Sequence, residues 1–228
     1  KRQVYTYSLK SFTTDAELLD MYGKRPDAFN EDELLRVSTL KQMPTEKQEV
    51  YRTLMHYFPQ SQVAANNLAV LLLNEGRLDE AEAVLESLDD YTPEVLNTRA
   101  ALYVYRYDYE HAIELLRSHM DMPEARYNLG LIHAQLRNLG EAYNLMHDYS
   151  DTNSAIIALS VNRNEEADDM MNRCEDASPL AEYVRALIAA RLNRTDDAVK
   201  HLQRACADAS LKERARTEVD FRNLVWNE

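Results

Sequence analysis

Residues 67–81 read NLAVLLLNEGRLDEA and hold the clearest structural signal in the chain. The apolar residues before Gly76 recur every three or four positions and predict one helix, and the pattern that resumes after Gly76 predicts a second. Glycine ends the first helix because it accepts the left-handed conformation that satisfies the last carbonyl groups, and Pro93 stops the second helix. Ala69 and Ala81 are small, so they let the two helices pack closely.

Alanines at the position of Ala81 recur along the chain, and each one follows a polar residue. Successive members are 31, 30, 25 and 31 residues apart. A period in this range indicates one two-helix unit that is copied and stacked. The recurring alanines are Ala81, Ala112, Ala142, Ala167 and Ala198.

The unit resembles the tetratricopeptide repeat, whose two helices carry an N-L-G motif, then G-D/R-Y/L-D/E-E-A and a closing proline. Residues 67–69, residues 76–81 and Pro93 match this pattern well. Further copies lie at 100–112, 128–142, 155–167 and 186–198, and a divergent first copy lies at 30–59. The resemblance implies an all-α fold: a right-handed α-solenoid of about six helix-turn-helix repeats over residues 27–210.

The end of the repeat array and the 25-residue spacing between Ala142 and Ala167 each lead to a separate prediction. Residues 211–228 mix charged and apolar residues, which is typical of a capping helix that covers the last repeat. The 25-residue step leaves only residues 152–161 for a first helix, so we expect a short helix and a kink near 150–165.

Residues 1–26 do not fit the repeat, and residues 3–9 alternate polar and apolar types as a strand does. We expect an extended segment here. It is either the end of a preceding domain or a disordered stretch. Residues 1–4 resemble the closing strand of the OmpA-like peptidoglycan-binding domain, which implies the repeat region of a larger cell-envelope protein. A periplasmic or outer-membrane-associated setting follows from this resemblance, with the cytoplasm as the alternative. The chain begins at Lys1 without a signal-type apolar run, so we expect a processed protein or an excised domain.

Composition excludes several classes of function. The net charge of −13 argues against nucleic-acid binding, which needs a basic surface. No run of 18 apolar residues is present, so the sequence predicts no transmembrane helix. Cys174 and Cys206 are too few for a zinc site; two buried thiols are expected, and a disulfide between them is the alternative.

The sequence lacks the common motifs for catalysis, cofactors and metals. Adjacent carboxylates such as Glu165 and Glu166 fit solvated helix starts, where acids are favoured by the helix dipole. His133 takes a position where the family often has tyrosine, and we expect a packed ring with satisfied nitrogens. We therefore predict no enzyme, no cofactor and no metal.

The resemblance implies that ligands contact particular positions of the first helices. These positions combine an apolar floor with asparagine and tyrosine groups, which suits an extended peptide or an apolar helix. Tyr105 is expected to face the groove, and Asn66 and Asn97 are either peptide-backbone ligands or solvated residues. The predicted ligand positions are Asn66, Val70, Leu73, Asn97, Ala101, Tyr105, Tyr127, Leu131, Gln135, Tyr183, Leu187 and Arg191.

The same transfer of family positions argues against one type of ligand, a peptide with a free C-terminal carboxylate. Relatives that clamp a peptide carboxylate use Lys and Asn, then Lys or Arg, whereas this chain has Asp32, Arg36 and Glu124 there. Binding of chaperone tails is therefore not supported.

The predicted function is a non-catalytic protein–protein interaction scaffold that binds a peptide or protein segment in its groove. The alternative is a structural spacer or assembly module of a cell-envelope protein without a groove ligand. A monomer is favoured, and the aromatic C-terminus with Phe221 and Trp226 is the alternative site for a dimer.

Overall fold

The computed structural model describes residues 14–226, and these residues form an all-α fold without a strand among them. The prediction of an all-α repeat fold is confirmed. The chain divides into two compact units, residues 1–116 and 117–228, which we call the N-terminal unit and the C-terminal unit. The predicted strand over residues 3–9 lies outside the described residues.

Helices in the N-terminal unit follow one another with short connections, and the last of them ends one residue beyond it. They are α1 (Asp15–Lys24), α2 (Glu31–Leu40), α3 (Pro44–Tyr57), α4 (Gln62–Asn74), α5 (Leu78–Glu86), α6 (Pro93–Tyr105) and α7 (Tyr109–Arg117), with a 3₁₀ helix at Pro26–Ala28.

The helices of the C-terminal unit also follow one another with short connections. Its helices are α8 (Pro123–Gln135), α9 (Leu139–Met146), α10 (Thr152–Ser160), α11 (Asn164–Arg173), α12 (Pro179–Arg191), α13 (Thr195–Ala205) and α14 (Ala209–Thr217), with a 3₁₀ helix at Val219–Phe221.

Packing runs between neighbouring helices within each unit. In the N-terminal unit α2 packs on α3, α3 on α4, and α4 on both α5 and α6. In the C-terminal unit the pairs are α8 with α9, α10 with α11 and α12 with α13. The recurring alanines are fully buried, as close helix contacts require.

The turn inside each of these repeats contains a residue in the left-handed conformation, always five positions before the recurring alanine. At the next residue the backbone N–H donates to the carbonyl oxygen five positions earlier, at 2.8 to 2.9 Å. This bond belongs to the Schellman motif, which satisfies carbonyl groups at a helix end. The left-handed residues are Gly76, Tyr107, Arg137, Asn162 and Asn193, with φ between 59° and 73°.

The two ends of the repeat array differ in detail from the sequence predictions, whereas the short repeat agrees with its prediction. Residues 15–24, expected to be extended, form α1, because Thr14 and Glu17 make a capping box and Leu18 is buried. At the other end α14 stops at Thr217, and a short 3₁₀ helix continues the chain. Helix α10 has 9 residues against 13 in α8 and α12, as the short step predicts. The kink near 150–165 stays a prediction.

The repeated turn leads to a first prediction: substitutions at two equivalent positions should change the free energy of unfolding in opposite directions. Arg137→Gly should raise the free energy of unfolding by about 0.5–1 kcal/mol, because glycine relieves the left-handed strain but gives the unfolded chain more freedom. Gly76→Ala should lower it by about 1 kcal/mol for the reverse reason. Urea unfolding followed by circular dichroism measures both. Changes of the same sign would contradict the account.

Gly130 generates a second prediction, because it marks the close approach of α8 to α9. A Cβ atom there would lie 2.4 Å from Met146 Cγ and 2.7 Å from Met146 Sδ, whereas a Cβ on Gly140 would meet nothing within 4 Å. Gly130→Ala should therefore destabilise the chain by about 1 kcal/mol, since overpacking exceeds the gain in helix propensity.

Gly140→Ala is the matched control, and it should be neutral or stabilising by up to about 1 kcal/mol. Thermal unfolding of the two variants beside the unmodified chain makes the comparison. Equal stabilisation by both substitutions would show that α8 and α9 do not meet at Gly130.

Candidate functional site

Helix α4 presents an open apolar face in the N-terminal unit. Val63, Asn66 and Val70 recur at three and four positions along it and therefore share one side of the helix. The two valines are 52% and 39% exposed. Apolar side chains exposed together on one helix face are available for a partner.

Helix α6 continues this face. Asn97, Ala101 and Tyr105 recur every four residues along it, and Tyr105 is 48% exposed. The hydroxyl of Thr98 donates a hydrogen bond of 2.6 Å to the amide oxygen of Asn66, which joins α6 to α4. We call Val63, Asn66, Val70, Ala101 and Tyr105 together the α4–α6 face.

One predicted ligand position of this unit is not on the surface. Leu73 is 4% exposed and belongs to the hydrophobic core of the N-terminal unit. Because α4 packs on α3, α5 and α6, both Leu72 and Leu73 are enclosed. Leu73 therefore packs in the core, and its prediction as a ligand contact is corrected.

The predicted positions of α8 are largely engaged within the C-terminal unit. The Tyr127 hydroxyl donates to Asp151 at 3.0 Å and accepts from Asn153 at 3.0 Å. Burial raises the pKa of Tyr127. Leu131 is partly buried beside Met146, and Gln135 is exposed.

The predicted positions of α12 are covered by the end of the chain. Tyr183 is 1% exposed, and burial raises its pKa to about 12. Arg191 donates a hydrogen bond from Nε to Asp220 at 2.7 Å, and Leu187 is partly buried. Tyr183, predicted to face a ligand, instead faces the chain's own residues, because the segment after α14 returns onto α12.

The sequence prediction missed two exposed positions. Val63 and Leu180 lie seven residues before Val70 and Leu187, and both are more than one third exposed. Seven residues make two helical turns, so each lies on the same side as the later residue. That spacing was the signal that could have identified them.

The buried polar groups correct one further prediction. His133 is buried, as expected, but its Nε2 atom has no hydrogen-bond partner among the described residues. Burial lowers the pKa of this imidazole, since the charged form would lose its hydration. The ring is therefore packed, and only the Nδ1 side has a polar neighbour, Asn138 at 3.4 Å.

The two thiols are free and only partly buried, and burial raises the pKa of Cys206. Across residues 14–226, His, Cys, Asp and Glu side chains form no group of three that could hold a metal ion. Over the same residues no helix has the length and apolar character to cross a membrane.

Comparison with known proteins identifies a family match in the N-terminal unit. A model of the tetratricopeptide repeat matches residues 48–102, which include all of α4 and α5 and most of α6. Among curated proteins, no sequence matches the chain. The resemblance of residues 1–4 to an OmpA-like domain finds no support here.

Solved structures share the fold at low sequence identity. A tetratricopeptide repeat protein from Parabacteroides merdae aligns with a TM-score of 0.62 and 14% identity, covering 87% of this chain and 88% of its own. The pilF protein of Pseudomonas aeruginosa aligns with a TM-score of 0.63 and 15% identity, covering 87% and 96%. A chain of the APC/C hetero-tetramer Cut9–Hcn1 aligns with a TM-score of 0.67 and 15% identity, covering 90% of this chain and 43% of that one.

The helix pairs, the buried alanines and these comparisons agree on one assignment. The chain has the tetratricopeptide repeat fold, and its residues 48–102 match the tetratricopeptide repeat family in sequence as well.

Proposed function

We propose that this chain is a non-catalytic interaction scaffold and that the α4–α6 face binds an apolar segment of a partner protein. Tetratricopeptide repeat domains commonly act as protein-interaction scaffolds. The segment that matches the family, residues 48–102, contains four of the five residues of this face, and Tyr105 follows three residues later.

The observation that carries the proposal is the exposure of apolar side chains on the α4–α6 face. Val63, Val70 and Tyr105 are all more than one third exposed. Burying apolar area contributes roughly 25 cal/mol per Å², and tyrosine is a residue type that dominates binding energy at interfaces. Covering these three side chains would therefore favour association.

Asn66 gives the face its directional group. Its amide oxygen is occupied by Thr98, and its amide nitrogen has no other partner within residues 14–226. A carbonyl group of a bound segment can accept from that nitrogen. A face with apolar side chains around one such donor suits a peptide backbone that runs across α4.

One structural relative is a component of a protein complex. The Cut9 and Hcn1 chains form a hetero-tetramer, so the fold serves there within a protein complex. For this chain, we carry over only the class of the partner, which is a segment of another protein.

The proposal predicts the behaviour of peptides selected on the immobilised chain from a random peptide library. The double variant Val70→Asp with Tyr105→Ala should weaken the selected peptides at least tenfold, because it places a charge in an apolar contact and removes an aromatic anchor. Fluorescence polarisation with labelled peptides measures the change.

Matched controls separate this face from the rest of the unit. Tyr107→Ala removes a more exposed tyrosine two residues further on, and Ala83→Asp adds a charge at an exposed position of α5. Both should leave binding unchanged. A library that yields no binder, or binders equally weakened by the controls, would contradict the proposal and favour the structural spacer.

A further inference from the structure

Residues 218–226, which we call the C-terminal segment, lie on the α12 face as a ligand would. The Phe221 ring packs edge-on against Tyr183 with centroids 5.5 Å apart, and Phe221 is 2% exposed. Asp220 pairs with Arg191 at 2.7 Å. Leu224 and Trp226 are partly buried against the cluster that Leu187 also joins. The three positions that the family resemblance assigns to ligand contact on α12 are thus occupied by the chain itself.

Arg191 is held in place independently of this segment. Its Nη1 donates to the carbonyl oxygen of Leu159 at 2.8 Å, while its Nε faces Asp220. A guanidinium fixed by a neighbouring helix is a prepositioned site for a carboxylate. Such preorganisation lowers the entropy lost when a segment binds.

Little of the C-terminal segment itself is buried. Phe221 is its only fully buried residue among positions 218–226, whereas Val219 and Val225 are exposed. The segment leaves α14 at Glu218, whose backbone is extended. Segments with few buried contacts open at low free-energy cost, without unfolding the rest of a domain.

We propose that the α12 face is a binding site for an acidic-aromatic segment of a partner protein, and that the C-terminal segment occupies it in cis as a competitor. In such a partner segment, a carboxylate would pair with Arg191 and the next residue would pack a phenyl ring against Tyr183. A leucine three residues after that ring would pack on the cluster around Leu187. The inference shares with the proposed function the premise that first-helix faces bind protein segments, but it concerns another face. The two tests can therefore fail separately.

The chain supplies its own probe, because Trp226 is its only tryptophan. A synthetic peptide of residues 217–225 lacks tryptophan, so protein emission reports only the C-terminal segment. As this peptide displaces the segment, Trp226 enters water and its emission shifts to the red. A short tether gives the segment an effective concentration of about 1 mM, so displacement from the unmodified chain should need peptide in the millimolar range.

Asp220→Ala in the full chain should lower the peptide concentration for half-displacement about tenfold, because only the peptide then keeps the contact with Arg191. In the Arg191→Gln background the same substitution should have no effect, since segment and peptide then lack the contact equally. Asp220→Asn repeats the test with a smaller change in shape, and circular dichroism confirms that each variant is folded.

Several results would overturn the proposal. Emission of the folded Asp220→Ala chain that stays unchanged up to about 5 mM peptide, well above the effective concentration of the tether, would show that the segment is a fixed structural cap. Equal displacement by a peptide carrying D220K would show that Arg191 does not read the carboxylate. A tenfold effect of Asp220→Ala that persists without Arg191 would remove the assigned contact.

Discussion

The close approach of two helices at a small, buried residue is the constraint on which the remaining structure depends. Each recurring alanine is fully buried, and in four of the repeats the second helix packs on the first. Five residues before each alanine the chain reverses through a left-handed residue. The same offset in five turns fixes where the second helix starts. Because side-chain direction on a helix follows from register, the turn also determines which residues of the first helix face outward.

The same helix positions therefore have different fates in the two units. On α4 and α6 they leave Val70 and Tyr105 exposed, whereas on α12 they are covered by residues that follow α14. A tetratricopeptide repeat fold that offers one open face and occupies another suits an interaction scaffold whose faces are available to different degrees. The difference arises from what packs on each face, since the repeats themselves share one turn and one helix contact.

Much of the fold could be predicted from sequence, because burial of small residues imposes a visible period. Only Gly76 was predicted to be left-handed. Asn162 and Asn193 are of a residue type that adopts this conformation readily. Tyr107 and Arg137 give no such signal, and they adopt the conformation because the helices around them require it. Helix α1 was missed because its capping box lies outside any repeat. The burial of Tyr183 was missed because the return of a terminal segment onto α12 depends on tertiary contacts that a transferred family position does not contain.

Packing of the C-terminal segment on α12 should restrict the backbone motion of that segment. Heteronuclear ¹⁵N relaxation of the full chain reports motion on the ps–ns timescale at each amide. Because both side chains pack on the α12 face, Phe221 and Leu224 should have nuclear Overhauser values as high as those of α12. Values typical of a freely moving terminus at both residues would contradict it.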